Sequence, residues 1–142
     1  MEIEVKYGTI REVSNDKRRR ILEFNNLIPG FSIQILEIGN SPEPLGKHAH
    51  GKNKSGKIEI FTIIKGQGFI LFSKVGENGK LEEGINKLKL KEGSVIRIPP
   101  FVGHTFYLEP GTKMHCFCNV AFDENDFIKC PDLVEENFKT EF

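Results

Sequence analysis

The sequence predicts an all-β fold of short strands folded as one domain over residues 1–142. Three observations predict it. Runs of β-branched and aromatic residues recur between Gly, Pro and Asn punctuation. No segment before the carboxy terminus repeats apolar residues at a helical period. The chain has 142 residues, enough for one substantial core and too few for two.

Taken in order, strands are expected over Arg20–Phe24, Phe31–Ile38, Glu59–Lys65, Phe69–Val75, Asn86–Leu90, Val95–Ile98, His104–Leu108 and Met114–Ala121. Lys17–Arg20 reads as a solvated turn leading into the first of these. Lys65-Gly66-Gln67-Gly68 reads as a tight hairpin, with glycine supplying a positive φ. Gly76–Lys80 reads as a surface turn. In Asn86–Lys91, leucines and lysines alternate, as on a sheet with one face in water. Phe61–Ile64 and Phe69–Phe72 are apolar on both faces, which requires cover outside as well as inside the barrel, from a second sheet or a partner subunit. A homodimer is expected. After Ala121 the pattern changes: Pro131 and Asp132 precede Leu133, Val134 and Phe138 at near-helical spacing. A short helix is therefore expected in the tail, 123–142, packed on the barrel exterior.

Lys plus Arg and Asp plus Glu both number 20. With no net field to favour nucleic acid or an anionic membrane, the expected partner is a small molecule recognised locally. Met1–Lys6 places charges at every second position, neither a signal peptide nor a membrane span, and the expected location is the cytoplasm. The three cysteines, Cys116, Cys118 and Cys130, form no disulfide framework. Cys116 and Cys118 lack the two-residue spacer of common zinc pairs and read as small strand residues.

The chemistry concentrates in the histidines. His48 and His50 stand at i and i+2, so on a strand both rings point to one face. Glu59 opens the next apolar strand and His104 opens another, each where a core residue is expected. Imidazoles with one carboxylate make a borderline donor set, suited to Zn, Fe, Ni, Cu or Mn. His115 has the same strand parity as neither Cys116 nor Cys118 and is left outside the site.

Gly46, His48-Ala49-His50, Glu59 and Gly66 together resemble the first motif of the cupin superfamily. Gly93, Pro99 and His104 resemble the second, and the likeness spans residues 30 to 121. The resemblance implies a cupin barrel, a double-stranded β-helix, with a divalent metal held by His48, His50, Glu59 and His104. Two departures stand out: eight residues separate His50 from Glu59 where the family has three or four, and Leu108 stands where Asn is usual. A one-residue register shift in that insertion would turn Glu59 outward and leave three histidines.

His48–His50, Glu59-Ile60-Phe61 and the stretch Ala121–Ile128 are also similar to sugar-nucleotide 3,4-ketoisomerases and capsule-synthesis cupin domains. That likeness implies nucleotide-sugar or polysaccharide metabolism, with His48 and His50 as acid and base and no metal required. Three readings stay open: a metal-dependent cupin enzyme, a metal-independent ketoisomerase, and a non-catalytic binder of a small ligand. The loop 51–57 lies between two proposed ligands and is expected to be a mobile lid. Its Lys52, Lys54 and Lys57 predict an anionic substrate.

Overall fold

The computed structural model describes residues 2–3, 9–25, 31–120 and 123–138. The strands are β1 (Thr9–Asn15), β2 (Arg19–Asn25), β3 (Ser32–Ile38), β4 (Leu45–His50), β5 (Glu59–Lys65), β6 (Gln67–Lys74), β7 (Asn86–Lys91), β8 (Val95–Ile98), β9 (Val102–Leu108), β10 (Lys113–Cys118) and β11 (Phe127–Lys129). They form two antiparallel sheets, one in the order β1-β2-β3-β10-β5-β8 and the other β11-β4-β9-β6-β7. The all-β expectation holds, and the arrangement is cupin-like. Among the described residues no helix is long and apolar enough to cross a membrane.

Alternation along each strand makes the core. Leu36, Phe61, Ile63 and Met114 from the first sheet meet Ile70, Leu90, Phe106 and Leu108 from the second, closing the space between the sheets as two-faced strands require. A smaller cluster lies outside the second sheet, where Leu71 and Ala49 are covered by Val75, Ile128, Cys130 and Leu133. Part of the cover expected from a partner therefore comes from the chain's own carboxy-terminal segment.

Lys65-Gly66-Gln67-Gly68 is not a hairpin. β5 pairs with β10 and β8, whereas β6 pairs with β9 and β7, so Gly66 is where the chain crosses from one sheet to the other. Its φ of 94° makes the corner, and a Cβ there would fall 2.4 Å from Thr112 Oγ1. The same residue type serves both geometries, which is why the local sequence read as a turn within one sheet.

The expected carboxy-terminal helix is absent from the described residues. β11 and two single 3₁₀ turns, Glu124–Asp126 and Glu135–Asn137, take its place. Val134 is extended and gives no side-chain cap, and the acidic residues of the second turn have no basic residues after them. A helix of so few residues does not recover its nucleation cost. Tertiary bonds win instead: Glu135 N–H donates to the Tyr107 hydroxyl, and Leu133 C=O accepts from Thr105 Oγ1. Leu133 is fully buried, while Val134 and Phe138 are only half-buried. The tail residues 139–142 lie outside the described residues, as do 121–122 at the end of the expected eighth strand, which stops at Cys118.

Candidate metal centre

Three elements carry the site. β4 supplies His48 and His50, β5 supplies Glu59 and β9 supplies His104. A bulge between Gly46 and His48 bends β4 against β9. Lys47 adopts a φ of 56° within it, and a Cβ on Gly46 would strike the His104 carbonyl oxygen at 2.6 Å. That close approach brings the rings of His48 and His104 within 4.6 Å, centroid to centroid, and those of His48 and His50 within 4.9 Å.

Glu59 faces inward. It sits opposite Cys118 and Ile98 in the sheet and shares the buried parity of Phe61 and Ile63, so the longer insertion before it does not shift the register. Its Oε1 lies 3.1 Å from His50 Nε2 and 3.4 Å from His104 Nε2. One ligand atom from each of the four residues lies within 4.8 Å of the others.

The protonation states follow from the surroundings. His104 Nδ1 lies 3.3 Å from the Val102 carbonyl. A carbonyl only accepts, so the proton is on Nδ1 and the lone pair is on Nε2. Burial lowers the His104 pKa, and burial beside His104 and His50 holds His48 well below the usual histidine value. Both rings are neutral. Burial alone would raise the Glu59 carboxyl, but the His50 imidazole and the other two rings outweigh it and hold the group at about 2. An ionised oxygen and an imidazole lone pair thus face each other across 3.4 Å.

Two acceptors in that relation need a cation or a proton between them. The same atoms are orphaned: His50 Nδ1 and Nε2, Glu59 Oε1 and His104 Nε2 are buried without a hydrogen-bond partner among the described residues. The His50 contact, although short, is not directed along a ring N–H. Metal–nitrogen and metal–oxygen bonds of about 2.0–2.2 Å set ligand–ligand edges of about 2.8–3.6 Å between square and tetrahedral angles, and the two observed separations fall in that interval. The donor set fits a divalent metal.

A cavity of about 200 Å³ opens onto the cluster, walled by Leu36, Leu45, Phe61, Phe106 and Phe127, with Gln34 and Lys57 among its polar members. The three loop lysines separate here. Lys57 is buried in the cavity wall, whereas Lys52 and Lys54 are exposed and do not line it. The loop is not a free lid either. Buried Asp126 accepts from the Asn53 backbone N–H at 2.9 Å and from Ser55 Oγ at 2.6 Å, Asp123 accepts from the Asn53 side chain, and Asn119 Oδ1 accepts from Ile58 N–H. Gly and Lys in the loop signalled mobility, while the acids that pin it lie some seventy residues away.

Sequence reading missed Phe127, whose ring packs 4.5 Å from His48, because its segment read as tail. It also missed the inward thiols of Cys116 and Cys118, although the i, i+2 rule applied to His48 and His50 finds them. Their sulfurs are 3.6 Å apart. The contact lowers the Cys118 pKa and, with burial, raises that of Cys116 well above the ordinary thiol value. His115 is exposed and takes no part.

Residues 1–126 match the family model described as glucose-6-phosphate isomerase (GPI). The chain belongs to the GPI family. Its fold is shared with several solved structures. One is the capsular polysaccharide assembling protein CapF from Staphylococcus aureus, with TM-score 0.62 and 22% identity over 88% of this chain. This GPI-family chain spans only 32% of CapF. A second is Pac13 from Streptomyces, described as a nucleoside dehydratase, with TM-score 0.59 and 12% identity over 88% of this chain and 89% of Pac13. A third is WlaRA, a TDP-fucose-3,4-ketoisomerase from Campylobacter jejuni, with TM-score 0.53 and 18% identity over 68% of this chain and 64% of that one. At these identities the likeness establishes the cupin-like fold. No curated protein matches the sequence.

Proposed function

We propose that the chain is a metal-dependent isomerase of a small anionic sugar, with one divalent metal held by His48, His50, Glu59 and His104. The observation that carries this reading is the lone pair of His104 Nε2 facing the ionised Glu59 Oε1 at 3.4 Å. Two names support the reaction class: the family is described as glucose-6-phosphate isomerase and one fold neighbour as a TDP-sugar ketoisomerase. Both act on a sugar bearing phosphate.

Isomerisation of this kind removes a proton from a carbon beside a carbonyl and returns one to its neighbour, exchanging carbonyl and hydroxyl with no net redox change. A divalent metal held by these residues would supply Lewis acidity for this step. The chain's residues do the rest. The aromatic and leucine walls exclude water and strengthen every charge interaction inside. The Val102 carbonyl fixes the tautomer and direction of His104. Lys57, buried in the wall, adds positive charge where an anionic substituent would lie.

A second reading is favoured by one observation, the neutral state of His48 at the cavity surface. A neutral imidazole accepts a proton, so His48 and His50 can act as acid and base without metal. Elemental analysis of protein purified without added metal separates the two, followed by NMR of hexose phosphates and nucleotide-linked keto sugars in D₂O. Stoichiometric metal, with deuterium entering beside the carbonyl and lost on chelation, is the expected result. Full exchange in metal-free protein transfers the role to the histidine pair, and no exchange in either state leaves a binding protein.

A further inference from the structure

Behind Glu59, on the side away from the histidines, lies a second cluster of donors that the proposed reaction does not use. Cys116 and Cys118 alternate inward on β10 and are 1% and 4% exposed. Their sulfurs are 3.6 Å apart and lie 3.8 and 4.0 Å from Glu59 Oε2. The carboxylate is therefore two-sided: Oε1 serves the imidazoles and Oε2 faces the thiols. One ligand atom from each of Glu59, Cys116 and Cys118 lies within 4.8 Å of the other two.

The triangle has the dimensions of a coordination face. Metal–sulfur bonds of about 2.3 Å and metal–oxygen bonds of about 2.1 Å at tetrahedral angles place two sulfurs about 3.8 Å apart and sulfur about 3.6 Å from oxygen. The observed edges agree to a few tenths of an ångström. Without an ion the two thiols donate only weak, long hydrogen bonds to Glu59 Oε2. The third cysteine provides the contrast. Cys130 sits in the outer apolar cluster, where its thiol donates to the Ile128 carbonyl.

We propose that Cys116, Cys118 and Glu59 form a second, thiolate-rich metal site, joined to the histidine centre through the Glu59 carboxylate and suited to a thiophilic d¹⁰ cation such as Zn²⁺ or Cd²⁺. Binding displaces the proton of each thiol, and two thiolates with one carboxylate offset the charge of the ion. Cys118 and Glu59 both line the cavity, which gives the ion a route in. Carboxylate-linked ions at short separation are the arrangement that two-metal catalytic sites use.

Cadmium titration of the chelator-treated full chain tests the site, because thiolate-to-cadmium charge transfer absorbs in the ultraviolet and histidine ligation does not. Wild type is expected to bind two equivalents and develop the band. The variant Cys116→Ser/Cys118→Ser should bind one equivalent without the band, and Cys130→Ser should match wild type. His50→Ala/His104→Ala should keep the band while losing the other equivalent, a result that depends only on the thiol site. Should the double serine variant not fold, Cys118→Ser alone should lower cadmium affinity about tenfold or more. Absence of the band in wild type, its survival in the double serine variant, or its loss in Cys130→Ser overturns the proposal.

Discussion

His104 and Glu59 meet as two acceptors, the imidazole Nε2 lone pair 3.4 Å from carboxylate Oε1, because the Val102 carbonyl holds the ring proton on the opposite nitrogen. This relation makes Glu59→Gln informative. The amide presents an N–H to the same lone pair, so the metal-free variant gains a hydrogen bond that the parent lacks. Denaturant unfolding should show the metal-free variant more stable than metal-free wild type by roughly 1 kcal/mol. Metal analysis should show that it no longer retains stoichiometric metal. A metal-free variant less stable than its parent would place the His104 proton on Nε2.

The lysines of the loop divide by burial. Lys57→Gln should raise KM for an anionic sugar about tenfold, equivalent to ~1.4 kcal/mol, and lower salt should widen the difference. Lys52→Gln and Lys54→Gln should leave KM within about twofold, since exposed charges outside the cavity are screened. Steady-state kinetics at two ionic strengths checks both. Equal effects from all three would return the loop to the role of a general electrostatic collar.

Burial raises the Cys130 thiol to about 11 from an ordinary value of 9.0. The unfolded chain releases that proton first, so the contribution of Cys130 to stability is complete below pH 9 and is lost as pH rises toward 11. In Cys116→Ser/Cys118→Ser protein, alkylation of Cys130 at pH 8 should proceed only as fast as the structure opens. Mass spectrometry over time reads this, and rapid labelling of the folded protein would show the thiol to be ionised or accessible.

The outer face of the six-stranded sheet carries an apolar patch beside the charged row Arg20, Glu37 and Lys113. Leu22, Ile35 and Thr62 lie in register with His115, and Phe24, Ile33 and Ile60 with Phe117, and these apolar side chains are half-buried. A second copy packed on this face is the expected assembly. Sedimentation at micromolar concentration should report a homodimer, and Ile35→Lys should shift it to monomer with the fold intact. Wild type sedimenting as a monomer would refute the assembly.

The site was more legible than the connections around it. Strand alternation put His48 and His50 on one face and Glu59 in line with Phe61 and Ile63, and those periodicities are local. What failed was non-local. Gly66 carries the same positive φ in a hairpin as in a crossing between sheets, and only its contact with Thr112 separates the two. Residues 131–138 carry helical spacing, but bonds from Thr105 and Tyr107 decide their path. The loop lysines looked equivalent because nothing local distinguishes Lys57 from Lys54. Cys116-Phe117-Cys118 lacks the two-residue spacer of common zinc pairs, and i, i+2 spacing brings two sulfurs to one face only on a strand.

Asp126 holds Asn53 and Ser55 from 73 and 71 positions downstream. All four histidine-centre donors lie at or before His104, so during synthesis they leave the ribosome well ahead of the residue that fixes the segment joining His50 to Glu59. The segment joining His50 to Glu59 is therefore fixed only once residues 123–126 have docked against it.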